Sequence, residues 1–243
     1  AGGTSYAQGN ARISATPDAA GDASTPSVKQ QIDQFLANPQ FKADDVILIS
    51  AGASDIIAGM AKVQAGTQTE AEFLDAVGSA GQEMARQVTR LVEAGAKHIL
   101  VTGSHNLGIS PWAKTLGKET LLSRASLVFN GQTTDRRDGL FGNLPSPTKT
   151  VLYVDLAYYV NLFEANPGGY SFNNGDTPVC NSVDGGPGIG IGAGEVNSAL
   201  CTSATLLAGA DANRYVFADK VYLTPAAQRQ FGDYAQQALR GRW

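Results

Sequence analysis

Histidine and cysteine are scarce in this chain, with two of each in 243 residues. Neither His98 nor His105 has a second ligand at helical or CxxC spacing, so no zinc-type cluster is expected. Charge is thin as well: charged residues make up 16 %, the net charge is −4, and no run of Lys or Arg occurs. That excludes the basic footprint of nucleic-acid binding or of attachment to an anionic membrane. No apolar stretch approaches the roughly 20 residues of a membrane span. The opening AGGTSYAQGNARI lacks the basic start and apolar middle of a secretory leader. Small molecules or neutral polymers remain as partners, and no cofactor is implied.

The stretch from Asp44 to Gly59 organises the rest. Val46 to Ile49 are four branched aliphatics without polar alternation, the pattern of a strand buried on both faces of a parallel sheet. The small residues 50–55 that follow let a backbone pass close to a ligand at the carboxyl end of a strand, where open α/β sheets place their sites. Ser54 or Asp55 reads as the N-cap of the next helix; the functional alternative makes Ser54 a catalytic or oxyanion-hole group.

Along the chain, residues 1–26 read as loop. Val28, Ile32, Phe35 and Leu36 form one helical face with Ser27 as N-cap. A second stripe runs from Glu70 to Ala94, interrupted by Gly78 and Gly81, with Gly95 as its terminator. His98 to Thr102 and Thr148 to Leu156 are strand candidates, Trp112 to Phe129 is helical, and Leu156 to Phe163 reads as a short helix. Thr224 caps a final helix with Pro225 at its first position. Strands alternating with helices predict right-handed crossovers and a parallel sheet in one domain spanning residues 1–243. Three strands are fewer than the five or so of a typical sheet, so one or two are unrecognised or lie outside the sequence.

Residues 168–212 form a long irregular loop insertion, of a length that is functional, mobile or stapled. Cys180 and Cys201 lie in it among Gly and Asn. Such a setting is more typical of a disulfide in a secreted or periplasmic protein than of a core thiol, with two free thiols as the alternative. Gly188, Gly190 and Gly192 follow no strand and read as a lid rather than a phosphate loop.

Four motifs in chain order resemble the SGNH or GDSL-type esterase and lipase family, particularly its secreted bacterial members. SYAQGNAR at 5–12 is similar to the family's second block, N-Y-A-x-G-G-A-R. SAGASD at 50–55 resembles the third, G-x-N-D. HNLGISP resembles a turn after the fourth strand, and FADKVYLTPAAQRQFGDYA at 217–235 resembles the last block, where D-x-x-H-P-T precedes a terminal helix. The resemblance implies a three-layer α/β/α, flavodoxin-like fold and ester hydrolysis by a serine nucleophile. In that chemistry a histidine relieves the serine of its proton, an aspartate three positions earlier orients the imidazole, and a backbone N–H with an asparagine amide holds the oxyanion.

Carried over by position, the aspartate falls on Asp219, the histidine on Tyr222, and the third-block asparagine on Ser54. The second-block glycines fall on Gly9 and Asn10, whose backbone N–H groups can serve an oxyanion whatever the side chain. The first block, G-D-S-L, would precede Ala1, so the resemblance implies a fold whose N-terminal portion is missing here and which lacks the nucleophile block. His105, in the turn after the second strand, is the substitute candidate for a base; His98, at a strand start, reads as structural.

Two functions follow as expectations. One is a secreted ester hydrolase of small esters, its catalytic serine on an N-terminal fragment or partner chain, with a strand edge or groove beside Val46 to Ile49 either exposed or filled by that partner. The other is a catalytically inactive relative that binds a glycan, lipid or protein through the former cleft. A third reading, Ser54 as the nucleophile of a G-x-S-x-G elbow, is weakened because the final position is Ile56 and no histidine follows His105.

Overall fold

The computed structural model describes residues 3–133, 139–145 and 149–243. Among these, the strands β1 (Val46–Ser50), β2 (His98–Thr102) and β3 (Val151–Tyr153) form one parallel sheet in the order β1-β2-β3. Val46 pairs with His98, Ser50 with Thr102 and Ile99 with Val151. The α/β class and strand direction agree with the alternation read from the sequence. Two compact units result. One comprises Ala1–Gly103 with Leu127–Tyr153, the other Ser104–Ser126 with Val154–Trp243.

The first unit holds the sheet and helices α1 (Val28–Leu36), α2 (Ala53–Gln64) and α3 (Glu70–Glu93). Capping boxes start α1 and α3. Ser27 Oγ accepts from Gln30 N while Gln30 Oε1 accepts from Ser27 N, and Thr69 and Glu72 repeat the exchange. Each box satisfies two helix-end donors, and Glu72 adds a negative charge where the helix dipole favours one. Helix α3 buries Phe73, Leu74, Val77, Met84, Val88 and Leu91 and runs unbroken through both glycines. Gly81 has a packing reason: a Cβ there would lie 2.2 Å from the Phe129 carbonyl oxygen.

Two expectations for this unit are corrected. Strand β1 is not buried on both faces, because Val46 is 39 % and Leu48 71 % exposed. Among the described residues β1 is one of the two edge strands of the sheet, and Val46, Leu48 and Ser50, on one face of it, are exposed. A run of aliphatics cannot reveal this, since edge and central strands share the same composition. Nor is Ser54 or Asp55 the cap of α2. Gly52 occupies that position at φ 124°, without a side-chain hydrogen bond, and both residues are buried within the first turn. A Cβ on Gly52 would meet the Phe129 ring at 2.3 Å, so strain and space both require glycine.

In the second unit, α6 (Leu156–Ala165) and α7 (Pro225–Arg242) enclose a core of Val160, Phe163, Phe172, Val216, Phe217 and Leu223. Thr224 Oγ1 accepts from Ala227 N at 3.2 Å, capping α7, and donates to Tyr215 O at 2.7 Å. The single helix expected from Trp112 is instead α4 (Pro111–Leu116) and α5 (Glu119–Asn130), separated by Gly117 in the left-handed region at φ 62°. The third strand is confined to Val151–Tyr153; Thr148, its expected start, lies outside the described residues.

The excursion 168–212 carries three-residue 3-10 turns and isolated bridges. Cys180 and Cys201 are joined in a disulfide, which settles that alternative. Its glycine run is anchored at Asp184, whose carboxylate accepts from Gly186 N and Asn197 Nδ2 at 2.8 Å each.

Candidate functional site

In the first unit the second-block loop and the turn after β1 are brought together by Asp55. Its Oδ2 accepts from Ile13 N at 2.9 Å and its Oδ1 from Arg12 Nε at 3.3 Å. Burial pushes the Asp55 carboxyl above its ordinary value of 3.8, against the Ile13 N–H and the Arg12 charge, which pull it down. In the sequence Asp55 reads as a cap and as the last residue of the third block; its pairing with Arg12, 43 positions away, is not announced there.

Ser54, next to it, is 7 % exposed. Asn10 adopts φ 60°, a conformation that asparagine tolerates better than most residues, and its carbonyl accepts from Ala19 N at 3.1 Å. Gly9 has open space around its Cα. At the carboxyl end of β2, opposite Ser50, the buried Thr102 Oγ1 has no hydrogen-bond partner.

The second unit brings together Asp219, Tyr222 and His105. Asp219 is fully buried and its carboxylate closes a turn. Oδ1 accepts from Val221 N at 2.8 Å and Tyr222 N at 2.6 Å, and Oδ2 accepts from Ser198 N at 3.1 Å. The turn is pinned at its flanks. Ala218 N donates to Tyr222 O at 2.8 Å, and Trp112 N, from α4, donates to Lys220 O at 2.9 Å. His105 Nε2 donates to Val221 O at 3.0 Å.

That last bond fixes the proton on Nε2. Burial lowers the His105 pKa from 6.5 to about 4, with the Val221 carbonyl opposing the shift. The imidazole is therefore neutral at pH 7 and its donor is committed to the backbone. Tyr222 is half-buried at the end of the turn. His98 stands at the start of β2, half-buried.

An aspartate-closed turn thus precedes a Thr-Pro helix start, and a small-residue turn follows a parallel strand. A family profile described as GDSL-like lipase/acylhydrolase matches residues 3–235. This chain belongs to the GDSL-like lipase/acylhydrolase family. Membership covers nearly its whole length and carries the α/β/α fold class, with which the parallel sheet and the helices described above are consistent. No match was found among curated proteins. Among the described residues, no cluster of His, Cys, Asp and Glu could hold a metal ion, and no helix is long and apolar enough to cross a membrane.

Proposed function

We propose that this GDSL-family chain binds a small carboxylic ester, or the acyl or glycan part of a larger one, without completing Ser-His-Asp turnover through its own side chains. One observation carries the reading: the position of the general base holds Tyr222, and His105, the only histidine bonded to that turn among the described residues, is spent as a buried strut. A tyrosine hydroxyl can take a proton only after losing its own, whereas a neutral imidazole has a free lone pair ready. An imidazole at about 4 is mostly unprotonated but too weakly basic to take a serine proton efficiently.

Asp219 supports the same reading, since its oxygens accept from three backbone N–H groups and hold the turn's shape. In the third block Ser54 offers one short hydroxyl donor where the family's asparagine offers an amide. Gly9 and Asn10 are assigned as backbone donors to a bound carbonyl oxygen. The disulfide supports a secreted or periplasmic location, where such bonds persist. Residues 1–243 are read as one family domain with 168–212 as its excursion.

Hydrolysis of p-nitrophenyl acetate and butyrate tests this. The reading expects no turnover above buffer by the wild-type chain. It also expects saturable binding of p-nitrophenyl butyrate, weakened by Ser54→Ala. The second reading, hydrolysis with Tyr222 as the proton acceptor, is favoured by the family match and by the retained Asp219 turn. Turnover above buffer that disappears in Tyr222→Phe would establish it and overturn the first.

A further inference from the structure

The Asp219 carboxylate is reached from two directions by one covalent loop. On one side, the segment ending at Cys180 runs beside the residues that precede Asp219: Val179 N donates to Phe217 O and Cys180 N to Ala218 O, both at 3.0 Å. On the other, Ser198 opens a 3-10 turn whose first carbonyl accepts from Cys201 N at 3.1 Å, and its own N–H donates to Asp219 Oδ2. The Cys180–Cys201 disulfide joins the two. The ring therefore closes through Asp219, Ser198, Cys201, Cys180 and Ala218, with two hydrogen bonds, the short peptide segments and one S–S bond as its links.

Backbone bonds also hold the loop, from Asn197 N to Ser182 O and Leu207 N to Val179 O at 2.9 Å and from Asn181 N to Thr205 O at 2.8 Å, and the disulfide adds the covalent closure beside the 198–201 turn. Lys220 Nζ pairs with Glu195 Oε2 at 2.7 Å, but with side chains 25 % and 31 % exposed it is a weak tether. Ser182 Oγ donates to Asn197 O at 2.9 Å, which links the loop to itself. Ser198 N supplies a direct bond from the excursion to the carboxylate.

We infer that the disulfide and the Ser198 N–H form a positioning device for the Asp219–Tyr222 turn, sensitive to dithiol reductants. A dithiol transfers two electrons and two protons to the Cys180–Cys201 bond, giving two thiols and closing into its own cyclic disulfide. The 198–201 turn then loses its covalent tie to the segment beside Ala218, and Ser198 N–H is free to leave Asp219 Oδ2. A buried carboxylate oxygen deprived of a donor recruits water or a ligand group, since leaving it unsatisfied is costly. The consequence for ligand binding rests on the function proposed above; the coupling itself does not.

Amide hydrogen exchange, read residue by residue on the full chain, tests the device in four forms: oxidised, reduced with dithiothreitol, Cys180→Ser/Cys201→Ser, and Ser198→Pro. Reduction and the double variant are expected to lower Ser198 amide protection by about tenfold, the equivalent of one hydrogen bond. Protection at Val221 and Tyr222 should fall with it, while Met84 and Val88 in α3 stay unchanged. Ser198→Pro removes the donor with the disulfide intact and should reproduce the loss at Val221 and Tyr222.

Unchanged Ser198 protection on reduction would overturn the inference. So would a loss shared equally by α3, which would make the disulfide a general staple, or a Ser198→Pro variant that leaves Val221 and Tyr222 as protected as before. Because no ligand enters the measurement, failure of the proposed binding function leaves its outcome untouched.

Discussion

His105 gives the protein a pH signature that belongs to a single side chain. In the unfolded chain it titrates near 6.5 and in the folded chain at about 4, so the unfolded state binds the extra proton between those values. Its contribution to stability is thus intact above pH 6.5 and is lost progressively as pH falls to 4, reaching about 3 kcal/mol. Urea unfolding at a series of pH values should show that slope, and His105→Gln should flatten it across the same window. The turn that His105 supports was legible in part: Asp219, Thr224 and Pro225 stand at motif spacing. The strut was not, because it joins residues 116 positions apart and nothing in HNLGISP announces which carbonyl its imidazole will find.

Secondary-structure elements register conflicts between local propensity and packing. In an isolated helix, Gly81→Ala would stabilise by about 1 kcal/mol. In α3 the added methyl would also sit 2.8 Å from Gly139 Cα, besides its clash with the Phe129 carbonyl. Backbone on both sides cannot yield as a side-chain tip can. The variant is expected to be less stable by about 2 kcal/mol net, measurable as a lowered urea midpoint. β1 offers the opposite case: Leu48→Lys should leave stability within about 0.5 kcal/mol of wild type. It should also reduce concentration-dependent scattering, because a charge protects an apolar sheet edge. The caps at Ser27 and Thr224 could be read from sequence because each is a local rule. The openness of β1 and the break at Gly117 depend on what lies beside the chain, which periodicity does not encode.

At the scale of the molecule, family membership fixes the fold class. The disulfide bridges a separation of 21 residues. In the chain-entropy account such a loop contributes about 3 kcal/mol by restricting the unfolded state. Cys180→Ser/Cys201→Ser should lose about that much in denaturant unfolding, and dithiothreitol should bring the wild type to the same value. The motif order over residues 5–235 was legible at this scale because it survives substitution at individual positions. The division into two units was not, since it depends on which contacts the chain makes and not on which residues it contains.

One of the chain's two tryptophans, Trp112, is almost wholly buried, and its backbone N–H holds Lys220 O inside the Asp219–Tyr222 turn. A Trp243→Phe variant leaves Trp112 as the one indole of the 243 residues. What remains is a native optical probe seated directly against the turn. Loosening of that turn by acid, reductant or ligand would then be followed as a change in emission wavelength, without attaching any label.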